Sequence, residues 1–267
     1  MKLEVDGRSV FGHTGGVEWP EGAREAVMLI HGAGNDHSVW RYQTRLLAGM
    51  GVAVVAVDLP GHGRSVGPAL TSVGAMGAWV VSLLDVLDVD RVTVVGHSMG
   101  SLIALAAAAA GPERIGRVGL IGTAPRMAVH PALLEAARER DSLAVNLIVG
   151  WSHNAASRFG GHRQAGMWTS AQTRRLLERN LDVLGIDLSA CAAFDAEPVA
   201  ADLDVEALVI SGQRDKMTPV KGGTAVAKML GARHVVVPGG SHVSLYDHPE
   251  AVNEALVEWA KGQRVDG

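Results

Sequence analysis

The sequence predicts an α/β protein with a mostly parallel central sheet, helices on both faces and a helical cap inserted into the series. Short apolar runs alternate with segments of helical spacing, and near-continuous apolar runs are typical of strands covered on both faces. The alternation stops near Pro125 and resumes after Val199. A length of 267 residues suits one large domain with an insertion better than two independent domains.

The first half of the chain predicts the beginning of that sheet. The first eighteen residues alternate loosely and contain Asp6-Gly7 and Gly15-Gly16, which predicts a β-hairpin at a sheet edge. The predicted elements that follow are strand Glu25–His31, helix His37–Met50, strand Gly51–Asp58, helix Ser72–Leu87, strand Arg91–Gly96, helix Met99–Ala110 and strand Val118–Gly122.

The segment that interrupts the alternation contains tryptophans and few β-branched runs. Its spacing predicts helices over Pro131–Arg140 and Ser170–Leu184. The series then continues with strand Ala207–Gly212, helix Val220–Leu230, strand Arg233–Pro238 and helix Pro249–Lys261. We therefore predict a core domain of residues 1–124 and 200–267, and a helical cap of residues 125–199 over one edge of the sheet.

Composition argues against several classes of function. Lys and Arg number 24 against 28 Asp and Glu, a net charge of −4 without a basic block, so no nucleic-acid partner is expected. Cys191 is the only cysteine, which excludes an intrachain disulfide and gives no support to a thiol catalyst. The longest apolar run, Leu102–Ala110, is far shorter than the roughly 20 residues of a membrane span. Because no apolar signal region occurs near Met1, a cytoplasmic location is expected. The expected oligomeric state is a monomer or a homodimer.

The stretch VVGHSMGSL, Val94–Leu102, carries the strongest chemical signal. A strand, then Gly-x-Ser-x-Gly, then a helix predicts a sharp turn that holds Ser98 at positive φ and exposes its hydroxyl. A Cβ at Gly96 or Gly100 would collide with the turn or the neighbouring strand. The N-terminus of the following helix favours negative charge beside Ser98. Ser98 is therefore the predicted nucleophile.

A serine hydroxyl needs a base and a group that orients the base. Asp215, in GQRDKMTP, and His242, in GGSHVSLYDHP, each follow a predicted strand and so belong to the same sheet edge as Ser98. The chain order Ser, Asp, His is the one expected for this type of sheet. Structural roles are expected for His31 and Asp58. The sharp turn should point His97 away from Ser98, and His62 and His248 are expected to be polar groups of loops.

These stretches, together with HGAGNDHSVW (His31–Trp40) and DLPGHGRS (Asp58–Ser65), resemble the α/β-hydrolase fold superfamily. The resemblance is to its capped esterases, lactonases and carbon–carbon hydrolases. It implies an oxyanion hole made by the backbone N–H groups of Ala33 and Met99, each worth on the order of 3 kcal/mol of barrier. The sequence HGAG departs from the HGGG of some lipases, so their extended glycine hole is not present in full.

The expected substrate is small, ester-like and mainly apolar, because few charges fall where it should bind. Large apolar groups in a cap often line a pocket, although packing within the cap is the alternative for each of them. Arg126, Arg158 and Arg163 keep a carboxylate-bearing substrate open. The residues predicted to line the pocket are Gly34, Trp40, Trp151, Met167 and Trp168.

No cofactor or metal is predicted. The glycine-rich segments 32–37 and 61–66 lack the third glycine of a dinucleotide fingerprint, and neither GxxxxGK[ST] nor HExxH occurs. The sequence thus predicts a serine hydrolase that cleaves an ester, lactone or thioester through an acyl-enzyme. The same three residues also support carbon–carbon bond hydrolysis, lyase or perhydrolysis chemistry. A small-molecule sensor with vestigial hydrolysis is the alternative from a different class.

Overall fold

A computed structural model describes residues 1–154 and 166–261, with residues 166–168 and 261 described by their backbone alone. Its centre is an eight-stranded sheet with the order β1-β2-β4-β3-β5-β6-β7-β8. The strands are β1 (Lys2–Val5), β2 (Arg8–His13), β3 (Glu25–Ile30), β4 (Val54–Val57), β5 (Arg91–His97), β6 (Arg117–Ile121), β7 (Glu206–Gly212) and β8 (Arg233–Val237).

The pairing of the strands confirms a mostly parallel sheet with a hairpin at one edge. β1 and β2 are antiparallel, and Asp6 and Gly7 between them have φ of 50° and 71°. β2 is antiparallel to β4, and the pairs from β4 to β8 are all parallel. In the centre, Gly96 of β5 lies opposite Ile30 of β3 and Leu120 of β6. The carboxyl ends of these strands therefore meet at one edge of the sheet.

Helices cover both faces of the sheet and connect its strands. They are α1 (Arg41–Gly49), α2 (Val73–Leu87), α3 (Met99–Ala110), α4 (Pro131–Arg138), α5 (Ser142–Ser152), α6 (Gly166–Arg179), α7 (Leu181–Ala193), α8 (Ala196–Ala201), α9 (Val220–Leu230), α10 (Ser244–Asp247) and α11 (Pro249–Lys261). The predicted helix His37–Met50 is divided into a 3₁₀ turn, His37–Trp40, and α1. The side chain of Asp36 caps that turn by accepting a hydrogen bond from the Ser38 N–H.

The apolar core lies on the two sides of the sheet. On one side α2 packs so closely on α3 that a Cβ at Gly77 would lie 2.7 Å from the Ala106 carbonyl carbon. The alanine-rich sequence of α3 permits this approach and explains why α3 is buried on nearly every side. On the other side Trp40, Tyr246 and Trp259 belong to a second buried cluster.

The segment between β6 and β7 folds as helices with an apolar cluster of their own. Leu133, Ile148, Leu177 and Leu188 belong to that cluster. The predicted helix Ser170–Leu184 is wrong, because α6 ends at Arg179 and α7 begins at Leu181. Helical spacing continues across the break, so the apolar pattern alone does not reveal it.

Two further helices of this segment, α5 and α8, were not predicted. Ala196 of α8 packs into the main core rather than into the cap cluster.

Within the described ranges, the chain has no helix of the length and hydropathy that a membrane crossing demands. The cytoplasmic location and the monomeric or homodimeric state stay predictions.

Candidate active site

Ser98 occupies a sharp turn between β5 and α3. Its φ and ψ are 54° and −120°, which confirms the predicted positive φ. A Cβ on Gly96 would lie 1.9 Å from the Gly100 carbonyl oxygen, and a Cβ on Gly100 would lie 2.3 Å from the Ile30 oxygen. Real Cβ atoms do not approach oxygen so closely, so both positions require glycine. The two glycines are the steric condition for the turn that presents Ser98.

Asp215 and His242 lie at the same sheet edge, after β7 and β8. His242 Nδ1 is 2.8 Å from Asp215 Oδ2, and both side chains are almost completely buried. Because a carboxylate oxygen accepts and His242 Nδ1 donates, Nε2 of the neutral ring is left as the acceptor for a proton. The pair therefore holds an imidazole in a fixed orientation at the carboxyl ends of the strands.

The acid loop holds Asp215 in its ionised form. Asp215 Oδ1 accepts from the N–H groups of Met217 and Thr218 at 2.8 and 2.9 Å, and Oδ2 accepts from the Thr218 hydroxyl at 2.7 Å. Burial by itself would raise the pKa of Asp215, but His242 and these hydrogen bonds outweigh it and hold the pKa below its ordinary value. Asp215 is therefore ready to orient His242 over the whole neutral range.

Ser98 and His242 line one cavity of about 450 Å³. In the described part of the chain, no hydrogen bond joins the Ser98 hydroxyl to the imidazole of His242. Hydrogen bonds of this kind are often long until a substrate is bound. The structure thus brings the three predicted residues to one site, but without a hydrogen bond between the imidazole of His242 and the hydroxyl of Ser98.

His97 borders the same cavity as Ser98 and contacts the loop that carries His242. Its Nε2 lies 2.8 Å from the His242 carbonyl oxygen, and the two rings are 4.9 Å apart. Burial lowers the pKa of His97 to about 3, so the ring is neutral and donates from Nε2. His97 therefore fixes the backbone of the loop that carries His242. The sequence motif gave no sign of this contact.

The loop after β3 runs beside Ser98. Ala33 lines the cavity, and the Met99 N–H is at the first position of α3, where it has no partner inside the helix. His31 lies below this loop and accepts a hydrogen bond at Nε2 from the Leu59 N–H at 3.1 Å. Burial lowers its pKa to about 4, so His31 is a neutral structural residue, as predicted.

The cavity is mainly apolar and extends from Ser98 into the cap. Trp151 lines it, as predicted. The cap residues Met127, Val129, Leu133, Ile148, Leu188 and Cys191 also line it and were not predicted. The apolar periodicity of α4 and α5 shows that these helices have a buried face, but not that the face borders a cavity.

Two other predicted pocket residues lie elsewhere. Trp40 is completely buried in the second core cluster, at the end of the 3₁₀ turn that precedes α1. A Cβ on Gly34 would lie 2.9 Å from Leu184 Cδ1, so this residue faces the cap helices rather than the cavity. The side chains of Met167 and Trp168, and residues Arg158 and Arg163, lie outside the described residues. Arg126 pairs with Asp195 at the surface.

Comparison with known proteins agrees with this geometry. Residues 25–249 match the family described as the alpha/beta hydrolase fold. The chain belongs to the α/β-hydrolase fold family. Among solved structures, the enol-lactonase of Burkholderia xenovorans superposes with a TM-score of 0.85 at 25% identity, over 98% of this chain and 100% of that one.

Curated relatives of this α/β hydrolase include hydrolytic enzymes. A pimeloyl-[acyl-carrier protein] methyl ester esterase of Pectobacterium carotovorum is 27% identical over 88% of this chain and 94% of its own length. An (E)-2-((N-methylformamido)methylene)succinate hydrolase of Acinetobacter baylyi is 25% identical over 90% of this chain and 91% of its own length. The family and these relatives place the chain among the hydrolases.

One cluster of this α/β hydrolase has the composition of a metal site. Ligand atoms of Asp36, His37 and Asp58 lie within 4.8 Å of one another. Each acid already has protein partners, however. Asp58 accepts from the backbone N–H groups of His37 and Arg64 at 2.7 and 2.9 Å, and Asp36 pairs with Arg179 at 2.6 Å. This cluster holds the turns together, which is the structural role predicted for Asp58.

Proposed function

We propose that this protein is a cofactor-independent serine hydrolase that cleaves a carboxylic ester or lactone of a small, mainly apolar substrate. One observation carries the proposal. Ser98, at positive φ at the start of α3, shares a cavity with His242, whose Nδ1 is 2.8 Å from Asp215 Oδ2. Nucleophile, base and orienting acid are the three parts that acyl transfer by serine requires.

In the proposed reaction His242 Nε2 takes the proton of the Ser98 hydroxyl as the oxygen attacks the ester carbonyl. Collapse of the tetrahedral intermediate breaks the bond to the alcohol oxygen, which receives the same proton from His242. A water molecule then gives its proton to His242 and attacks the acyl-enzyme. The acid leaves when the proton returns to Ser98. Asp215 stays ionised throughout and stabilises the imidazolium.

The negative charge of the intermediate needs donors that are already in place. We propose the backbone N–H groups of Ala33 and Met99 for this role. The N-terminus of α3 adds a favourable potential at the same point. In related sites the loss of one such donor costs about a hundredfold to a thousandfold in kcat.

The lining of the cavity supports an uncharged acyl or alcohol group. Met127, Leu133, Ile148 and Leu188 are apolar. Lys216 also lines the cavity, and this lysine is exposed to solvent. The cap, proposed as residues 125–199, would cover the substrate during the reaction. The names of the esterase and enol-lactonase relatives support ester carbonyl chemistry over carbon–carbon cleavage.

The test is the hydrolysis of p-nitrophenyl esters, from acetate to long acyl chains. Wild type, Ser98→Ala and the control Ser82→Ala, a serine of α2 outside the cavity, are assayed in parallel. We expect turnover by wild type and the control but not by Ser98→Ala, with an optimum chain length that reports the size of the cavity. Full turnover by Ser98→Ala would overturn the proposal.

The sensor alternative predicts a different result in the same assay. Wild type would form a stoichiometric acyl adduct on Ser98, detectable by mass spectrometry, without steady-state turnover. Absence of both turnover and adduct with these esters, and with simple lactones, would exclude ester chemistry at Ser98 and favour carbon–carbon or lyase substrates.

A further inference from the structure

The cap places one buried carboxylate directly behind the loop of the proposed oxyanion hole. Asp187 lies on α7 and is completely buried. Its Oδ2 accepts a hydrogen bond from the Gly34 N–H at 2.8 Å and lies 2.9 Å from His62 Nε2. Gly34 follows Ala33, and His62 belongs to the DLPGHGRS loop. A single oxygen of the cap therefore connects two loops of the core.

The neighbours of His62 determine its charge. Its Nδ1 lies 3.1 Å from the Pro60 carbonyl oxygen, and its Nε2 faces Asp187. A carbonyl and an ionised carboxylate only accept hydrogen bonds, so when Asp187 carries its charge both ring nitrogens donate and the ring is an imidazolium. Burial lowers the pKa of His62, but Asp187 outweighs burial and the net change is upward.

The other titratable groups around His62 agree with this charge. The ring of His31 lies 5.0 Å away and is neutral, because its Nε2 accepts from the Leu59 N–H. Asp58, the second nearby carboxylate, has a pKa below its ordinary value; burial opposes this lowering, and the hydrogen bond and charge of His37 cause it. His62 thus faces two carboxylates and one neutral imidazole.

We propose that His62 and Asp187 form a buried ion pair that positions the oxyanion loop, so that the cap helix α7 holds the Ala33 donor in its working orientation. Both are positioning residues, because neither lines the cavity in the described part of the chain. Gly34 follows Ala33 in the chain. The hydrogen bond from the Gly34 N–H to Asp187 therefore restricts rotation of the neighbouring peptide unit, which carries the Ala33 N–H. The role of Ala33 rests on the proposed function, whereas the ion pair does not.

Packing around Gly34 supports a positioning role. Gly34 has a φ of 63°, and its missing Cβ would lie 2.9 Å from Leu184 Cδ1 and 3.0 Å from Leu177 Cδ2. Side chains of α6 and α7 therefore pack against the loop at Gly34, the residue whose N–H is hydrogen-bonded to Asp187. A buried ion pair contributes little to stability but is specific in geometry, which suits this task.

The test compares Asp187→Asn with Asp182→Asn, a matched control on the same helix whose side chain is 79% exposed. We expect Asp187→Asn to lower kcat for the preferred p-nitrophenyl ester about tenfold or more, with KM within about twofold, because the donor acts in the transition state. The control should match wild type. Equal kcat values for the two variants would overturn the proposal.

Two measurements do not depend on activity. Nitrogen-15 NMR of histidine-labelled protein at pH 7 should show both nitrogens of His62 protonated in wild type and a neutral ring in Asp187→Asn. Amide hydrogen exchange of Gly34 should be faster in Asp187→Asn than in Asp182→Asn. A neutral His62 in wild type, or unchanged exchange at Gly34, would contradict the proposal. If Asp187→Asn does not fold, His62→Gln replaces it in the kinetic and exchange measurements.

These results separate the two proposals. Turnover by Ser98→Ala would remove the serine mechanism and leave the NMR and exchange results for His62 and Gly34 unaffected. Conversely, a neutral His62 would remove the ion pair and leave the serine mechanism intact.

Discussion

His97 donates a hydrogen bond from Nε2 to the backbone carbonyl of His242, over 2.8 Å, although the two residues are 145 positions apart. The residue beside the proposed nucleophile thus fixes the backbone of the proposed base. His97 also borders the cavity, but in the described structure it is hydrogen-bonded neither to the Ser98 hydroxyl nor to the His242 ring. We therefore expect its effect on the reaction to pass through the position of His242.

Removal of this contact should impair catalysis more than substrate binding. We expect His97→Leu to lower kcat about tenfold to a hundredfold, since small displacements of a reacting group cost that much. His97→Gln, which keeps a donor at nearly the same distance, should recover most of the rate. Steady-state kinetics with the preferred p-nitrophenyl ester decides this. Equal rates for the Leu and Gln variants would show that the hydrogen bond has no part in positioning His242.

Asp215→Asn should leave the fold intact and nearly abolish turnover. An amide that donates to Nδ1 would favour the wrong tautomer of His242, at a cost of about 10⁴ in kcat. Thr218→Val, which removes only the hydroxyl donated to Asp215 at 2.7 Å, should cost about tenfold. Asp85→Asn, a surface residue of α2, is the control. Activity of Asp215→Asn within tenfold of wild type would exclude Asp215 as the orienting acid.

Trp151 should set the length of the acyl group that the cavity accepts. Trp151→Ala enlarges the cavity, so we expect the optimum in the p-nitrophenyl ester series to move to longer chains. Trp19→Ala, a partly buried tryptophan of the main core, should leave the optimum unchanged. An unchanged optimum in both variants would place the acyl group elsewhere in the cavity.

Stability should fall as the pH is lowered from 6.5 towards 5. Burial lowers the pKa of His31 to about 4 and of His97 to about 3, against 6.5 in the unfolded chain. Between these values the unfolded state binds protons that the folded state does not, so acid favours unfolding. Each group contributes up to about 1.4 kcal/mol per pH unit to the free energy of unfolding.

Urea unfolding at pH 7, 6 and 5 measures this slope. His97→Gln should reduce it, whereas Ser82→Ala, which removes no titratable group, should not. His62 opposes this slope near pH 7, because its raised pKa lets the folded state hold a proton that the unfolded state loses. Well below pH 6.5 both states are protonated at His62, so it adds nothing to the fall in stability towards pH 5. An equal slope in wild type and His97→Gln would contradict a neutral, buried His97.

The sequence by itself determined the sheet and the positions of the proposed triad. Apolar runs show where parallel strands end, and their carboxyl ends must meet at one edge, so Ser98, Asp215 and His242 were predicted to lie together. The turn at Ser98 was predicted because Gly96 and Gly100 leave no room for a Cβ, which is a local steric requirement.

Only the tertiary structure decided which side chains of the cap and the loops face the site. Trp40 was predicted for the pocket and is packed in the core, because a bulky apolar residue near a site satisfies either pattern. Asp187 contacts Gly34 across 153 positions of sequence. No local periodicity distinguishes the one buried carboxylate of α7 from its exposed neighbour Asp182, because burial is decided by the element that packs against the helix.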